Sequence, residues 1–315
     1  MGQGVRWWVG AVAACVLAGG LTACAAPGLA ASPRQDRILQ QQVETVADGF
    51  HGTIGIYVRH LTRGQTAAVN ADSVFPTASM VKVPILCALF DRIARGELGY
   101  AQELVFRDSL RYDDGITGSL RDSTRVPLAE AVMLMITLSD NTASLWLQQL
   151  AGTGIGINAW LDSNGYPQTR VNARTPGRQA ARQTWGWGQT TPREMAELMA
   201  SIHAGKTVDA GASEEMLRVL SRHYWDDEAV AQVPPTVHVA AKSGAVSAAR
   251  SEVVLVDAPS GAYVFCVATR DQQDQRWEYD NEGYVAIRRL SRLLWQYFEP
   301  DGAWTPRDDD RRWVK

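Results

Sequence analysis

Apolar and polar positions along the chain alternate between a helical and an extended rhythm. Ile38, Val43, Val46, Ala47 and Phe50 recur at loosely helical spacing, and Gly49 and Gly52 mark the end, which predicts a helix within 34–50. Thr53–His60 and Gln65–Val69 then read as a hairpin turning at Thr62-Arg63-Gly64. The run from Ser79 to Ala94 is helical and closes at Arg95-Gly96. A polar, glycine-bearing stretch between Leu98 and Pro127 suits a surface loop or the wall of a cleft. Helices follow from Pro127 to Leu138 and from Asn141 to Leu150, with Ser139-Asp140-Asn141 capping the second. Between Ala151 and Thr191 no apolar period holds for long, and a loop of that length inside a domain is usually functional or else argues against its assignment as a loop. Pro192 sits in the first turn of a helix reaching Ala204, and another covers Ser213 to Ser221. The last third changes rhythm. Val237–Lys242, Glu252–Asp257 and Ala262–Ala268 read as antiparallel strands, and Gly283 to Phe298 as an amphipathic closing helix.

Strands thus come from both ends of the chain, with helices between them. This order predicts an α/β (α+β) fold: one antiparallel sheet flanked by the terminal helices and interrupted by an inserted all-helical domain. The boundaries are a catalytic domain over 34–300, with the sheet part in 34–77 and 233–300 and the helical part in 78–232, then a polar tail over 301–315.

Composition narrows the class. The chain has 315 residues, 46% hydrophobic and 21% charged, so it is long enough for one large domain or two intimately packed ones. A net charge of −3 gives no electrostatic reason to expect a nucleic acid partner. The five histidines at 51, 60, 203, 223 and 238 show no ligand spacing, so neither a metal nor a cofactor is expected. There is no G-x-S-x-G elbow and no phosphate-binding glycine loop.

Residues 1–24 read as an export signal: Arg6 is the only charge ahead of an apolar run from Trp7 to Leu21, too short to span a bilayer. It ends in Leu21-Thr22-Ala23-Cys24, which resembles a bacterial lipobox, with Cys24 lipidated and 25–33 serving as a tether. An ordinary cleaved signal is the alternative. The expected product is a monomeric, exported lipoprotein anchored in a membrane and facing the periplasm or the cell exterior. Cys87 and Cys266 lie in separate apolar runs and are expected as buried free thiols.

The chemistry begins at Ser79 and Lys82, three residues apart at the head of an apolar helix and so on one face of it. A serine hydroxyl needs a partner to take its proton, and a helix N-terminus steadies developing negative charge. Of the chain's four lysines, at 82, 206, 242 and 315, two fall in short motifs, Ser79-Met80-Val81-Lys82 and Lys242-Ser243-Gly244. Arginine, used freely elsewhere, cannot serve as a base at neutral pH, whereas lysine can when its pKa is lowered.

With Ser139-Asp140-Asn141 between them, these motifs resemble those of the penicillin-recognising serine enzymes, S-x-x-K, S-D-N and K-T-G. Ser139 lies 60 positions beyond Ser79 (139 − 79), a spacing that resembles the class A β-lactamases, and the likeness runs from about Arg34 to Phe298. The resemblance implies the β-lactamase/transpeptidase-like fold. It also implies that Ser79 is acylated by a small β-lactam or peptidoglycan-like peptide, with Lys82 a candidate base. Ser139, helped by Lys242, would pass a proton to the leaving nitrogen. Asn141 would bind the substrate amide, and the Ser79 and Ala245 amides would form an oxyanion hole. Ser243, in place of the usual threonine, and Gly244 would line the substrate's carboxylate end, with Arg250 as a second contact there.

One departure stands out. The family pattern T-R-x-x-x-x-E-P reads here Thr169-Arg170-Val171-Asn172-Ala173-Arg174-Thr175-Pro176, so Thr175 replaces the glutamate that activates the deacylating water. No glutamate occurs from Ala151 to Thr191, and Gly188 stands where an aspartate would pair with Arg170. Acylation could survive this loss while release of the acyl group slows or passes to Lys82, Asp113, Asp114 or another donor. The expected function is therefore a serine hydrolase opening β-lactam or acyl-D-alanine-like amides. The alternatives are a cell-wall peptide or ester enzyme of the penicillin-binding type and a weakly catalytic, ligand-binding lipoprotein.

Overall fold

The computed structural model describes residues 1–2, 32–113, 115–302 and 304–306. The signal segment, Cys24 and most of the tether and tail lie outside the described residues. The first half of the chain contains β1 (Arg34–Gln35), α1 (Arg37–Ala47), β2 (Thr53–His60), β3 (Gln65–Val69), β4 (Phe75–Pro76), α2 (Lys82–Ala94), β5 (Glu103–Val105), β6 (Arg125–Pro127), α3 (Leu128–Thr137) and α4 (Asn141–Leu150). The second half contains α5 (Thr153–Ser163), β7 (Arg170–Val171), α6 (Gln179–Trp185), β8 (Gly188–Thr190), α7 (Pro192–His203), α8 (Ala210–Leu220), β9 (Val239–Val246), β10 (Ala249–Val256), β11 (Tyr263–Arg270) and α9 (Glu282–Phe298).

The main sheet has the order β1-β3-β2-β11-β10-β9, antiparallel except where β1 runs parallel to β3. Every residue of β10 is buried, and its second half, Val253–Val256, is a continuous apolar run rather than an alternating one. One face of the sheet, with Val254, Val256, Phe265 and Val267, packs on Leu39 and Val43 of α1 and Leu290, Leu294 and Phe298 of α9. The other face, with Val253, Leu255, Val264 and Cys266, packs with Leu86, Met199 and Leu220 of the inserted helices. Each terminal helix starts on a side-chain cap, Asp36 for α1 and Asn281 for α9, worth about 1 kcal/mol apiece. The sheet and its flanking terminal helices agree with the expected architecture, while the insertion is not all-helical, since β5 pairs with β6 and β7 with β8 inside it.

The stretch 151–191 differs from its reading as one long loop. It folds into α5 and α6, and β7 and β8 pair with β4 to form a small sheet. Helix α5 escaped the apolar pattern because Gly154 and Gly156 interrupt it and only Gly154, Ile157 and Leu161 are buried. The small sheet matters to the site: Phe75 pairs with Thr190, and the Thr77 amide donates to the Gly188 carbonyl at 3.0 Å, just before Ser79. Cys87 and Cys266 are buried free thiols.

Candidate active site

Residues Ala78–Val81 form a 3-10 turn that runs directly into α2. In such a turn side chains three apart eclipse, which sets Lys82 under Ser79. The turn is entered through Ala78 in the left-handed region at φ 44°, a strained conformation held by the surrounding structure. Lys82 is fully buried, and its Nζ lies 3.0 Å from Ser79 Oγ, 2.6 Å from the Ser139 carbonyl, 2.9 Å from Ser139 Oγ and 3.0 Å from Asn141 Oδ1. Burial pulls its pKa down to about 7, against the pull of Asp140 and Asp113 toward the charged form. A lysine so placed reaches its neutral form near pH 7 and can take the serine proton.

Ser139 and Asn141 reach Lys82 because the junction between α3 and α4 turns sharply there, with Ser139 at φ 60°. Asp140, between them, does the capping: its carboxylate accepts from the Ala143 amide at 2.7 Å and the Thr117 amide at 2.9 Å. The capping role read for the whole triplet therefore falls to its middle residue. Asn141 Nδ2 donates to Asp113 Oδ2 at 2.9 Å, so the polar stretch after Leu98 reaches the site through Asp113. Asp114, the other acid in that stretch considered for deacylation, is outside the described residues.

Strand β9 closes the other side. Lys242 is fully buried, donates to the Ser243 carbonyl at 3.0 Å, and has its pKa lowered by burial and then by Lys82. A Cβ on Gly244 would lie 2.4 Å from the Thr77 carbonyl and 2.8 Å from the Ser79 amide, so only glycine lets the strand approach the nucleophile this closely. The Ser243 amide points off the sheet's open edge, donating to His223 Nε2 at 3.3 Å. Backbone amides two apart point the same way along a strand, so the Ala245 amide also faces the cleft. The Ser79 amide, its expected partner in an oxyanion site, lies close to the strand at Gly244. His223 gave no sequence signal and is an addition: Ser243 Oγ lies 2.8 Å from its Nε2, and burial followed by Lys242 holds its pKa well below the ordinary value.

Arg250 does not take its expected place. In the ladder it pairs with Ala245, and its fully buried guanidinium donates to the carbonyls of Val246, Ala249 and Arg276 while lying 4.5 Å from the Trp277 ring and 4.6 Å from the Tyr284 ring. Arg250 is not among the residues that line the cleft's cavity. Ser251, its neighbour, faces the site, with Oγ donating to the Thr77 carbonyl at 3.0 Å.

Within the 151–191 segment, Thr175 and Gly188 occupy the positions read as departures from the family pattern. Thr175 is buried, its Oγ1 donates to the Ala173 carbonyl at 3.0 Å, and it fills the space beside Gly154, whose Cβ position would lie 1.7 Å from Oγ1. At Gly188 a Cβ would meet Val81 Cγ2 at 2.6 Å and Thr77 Oγ1 at 2.7 Å, so an aspartate has no room there. Arg170 pairs instead with Asp162 on α5 and donates to the Tyr166 and Thr169 carbonyls. Gln148 on α4 holds the segment through the Ala173 carbonyl at 2.6 Å.

A nucleophilic serine with a buried lysine and a second serine, set between a sheet edge and a helical domain, defines a serine acyl-transfer hydrolase. The chain belongs to the Beta-lactamase enzyme family, whose profile matches residues 38–298, and it is a serine β-lactamase-like hydrolase. It is similar to Beta-lactamase VEB-1 of Pseudomonas aeruginosa, 21% identical over 272 residues that cover 82% of this chain and 90% of that protein. Among solved structures PBP-A superposes with a TM-score of 0.77 at 27% identity, covering 86% of this chain and 99% of that one. A point variant of PBP-A, solved as an acyl-enzyme complex with penicillin-G, gives a TM-score of 0.76 at 27% identity over the same shares.

Proposed function

We propose that Ser79 attacks the carbonyl of a β-lactam or acyl-D-alanine-like amide and that the resulting acyl-enzyme is long-lived. The observation that carries this reading is the fully buried Lys82 Nζ at 3.0 Å from Ser79 Oγ. Neutral Lys82 takes the hydroxyl proton as the Ser79 oxygen bonds to the carbonyl carbon, and the oxyanion rests between the Ser79 and Ala245 amides. When the C–N bond breaks, Ser139 passes a proton to the leaving nitrogen and is reprotonated from Lys82, with which it shares a 2.9 Å contact. Asn141 is placed to meet the substrate's side-chain amide.

Slow release follows from Thr175, which packs on Gly154 and holds no carboxylate toward the cleft. Loss of a general base typically costs about 10²–10⁴-fold in rate. This favours turnover of a penicillin-binding type, on cell-wall peptides, over rapid antibiotic hydrolysis. The likeness to PBP-A supports the same side. Mixing the protein with penicillin G and following intact mass tests the reading: a persistent adduct on the wild type and none on Ser79→Ala is expected, and no adduct on the wild type refutes it.

The lipobox-like Leu21-Thr22-Ala23-Cys24 supports an exported, lipid-anchored protein acting at the outer face of a membrane. Expression of the full chain in a bacterial host should place it in the membrane fraction, and Cys24→Ala should move it to the soluble fraction. Equal partitioning of the two would remove the anchor.

A further inference from the structure

The cleft does not end at Ser79. It opens, past Ser243, into a cavity of ≈ 400 Å³ whose far end is lined by the aromatic side chains of Trp225, Trp277 and Tyr284 and by the acids Asp227, Glu228, Glu252 and Glu278. That end should hold the part of the substrate beyond the scissile bond, where the resemblance to class A enzymes anticipated a carboxylate held by cations. The ionisable groups lining this end are acids instead.

Glu252 is the informative residue. It pairs with Ser243 across the β9–β10 ladder, so the two side chains share a face, and it is fully buried. Its Oε2 accepts from the Ala229 amide at 3.1 Å, while Oε1, equally buried, has no partner among the described residues. A buried carboxylate oxygen left unpaired is costly, and such an oxygen lining a cavity marks a place where a donor is missing.

The nearby cations Arg250, Arg288 and Lys242 are not among the residues that line the cavity. Arg250 is tied to backbone carbonyls and stacked between Trp277 and Tyr284. Arg288 pairs with Glu228 at 2.7 Å and donates to the Tyr279 carbonyl. Lys242 donates to the Ser243 carbonyl. A group with N–H donors and positive charge would satisfy Glu252 Oε1, gain from Asp227 and Glu278 at the rim, and lie against aromatic faces that favour cations.

We propose that this cavity is a subsite for an ammonium group on the substrate, beside Ser243, so that the enzyme prefers acyl donors bearing a cation there over those bearing a carboxylate. The inference rests on Ser79 being the acylated residue. Burial holds the Glu252 carboxyl up at about 8, and an ammonium brought beside it would favour its ionised form.

Boronic acids that bond reversibly to an active-site serine provide the test, since one ring can carry different groups. Inhibition constants would be measured for 3-(aminomethyl)-, 3-methyl- and 3-carboxyphenylboronic acid against reaction with a chromogenic penicillin. For the wild type the aminomethyl compound is expected to bind roughly tenfold tighter than the methyl compound, and the carboxy compound weaker than both. In Glu252→Gln, which keeps an acceptor for the Ala229 amide, the advantage should fall to about two-fold or less while methyl binding is unchanged. Asp227→Asn, on a partly exposed loop, should lower the advantage by a smaller factor and serves if the buried variant folds poorly. Equal binding of the aminomethyl and methyl compounds would overturn the subsite and leave Ser79 intact as nucleophile. Tightest binding by the carboxy compound, lost in Glu252→Gln, would overturn it as well by making Glu252 a protonated donor to an anion. Failure of all three compounds and of the penicillin to react would instead refute the acylation reading itself.

Discussion

Lys82 acts through its protonation state, and this makes the site sensitive to pH in a defined direction. Burial lowers its pKa to about 7, so the neutral form that accepts the Ser79 proton grows as pH rises through that value. The rate of penicillin acylation, measured by stopped flow, should rise by roughly tenfold per unit below pH 7 and level off above it. A flat profile between pH 5.5 and 8.5 would remove Lys82 as the base. Lys82→Gln should lower the acylation rate by about 10²–10⁴-fold with little change in fold. Ser79 and Lys82 were legible from their spacing at the head of an apolar helix, and Ser139, Asn141 and Lys242 from the resemblance of their motifs to those of the penicillin-recognising enzymes. His223 and Glu252 were not, because they reach Ser243 from a separate loop and a neighbouring strand. Arg250 was misplaced for a related reason. A strand buried on both faces has no polar alternation, so nothing in Ala249-Arg250-Ser251-Glu252 says which residue faces the cleft.

At the scale of elements, two glycines hold the nucleophile turn in place. Gly244 brings β9 against Thr77 and Ser79, and Gly188 lets β8 lie against Val81 and Thr77. Gly244→Ala is expected to push the strand from the turn, slowing acylation and lowering the denaturant midpoint together. Gly188→Asp, which would supply the acid that pairs with Arg170's counterpart in the family, should destabilise by about 1–3 kcal/mol through overpacking, read from urea unfolding. Restored or raised stability would show that β8 can shift to admit it. The two-rhythm pattern revealed the terminal helices, the hairpin and the closing strands, since each has a one-sided apolar face. It hid α5 and α6, where α5 is interrupted by Gly154 and Gly156 and α6 has no buried residue.

Across the whole molecule, the sheet and the helical insertion are joined where the chemistry sits, and the remaining variation lies in how the cleft is closed and what it admits. On one side the 151–191 segment is folded and anchored by Arg170, Asn158 and Gln148, yet it offers no carboxylate to the cleft. On the other, Ser243 opens onto an acidic, aromatic cavity. The sequence indicated the first through the absence of glutamate, a property of one segment. The second depends on residues from 225 to 287 converging in space, which no local pattern encodes.

The central claim is that Ser79 is acylated and that the acyl group leaves slowly. Time-resolved intact mass spectrometry after mixing with penicillin G addresses both parts at once. The account predicts an adduct of one penicillin per chain, absent from Ser79→Ala, that persists long after free penicillin is removed. An unmodified wild-type chain, an adduct that survives in Ser79→Ala, or rapid hydrolysis with no accumulating adduct would contradict it.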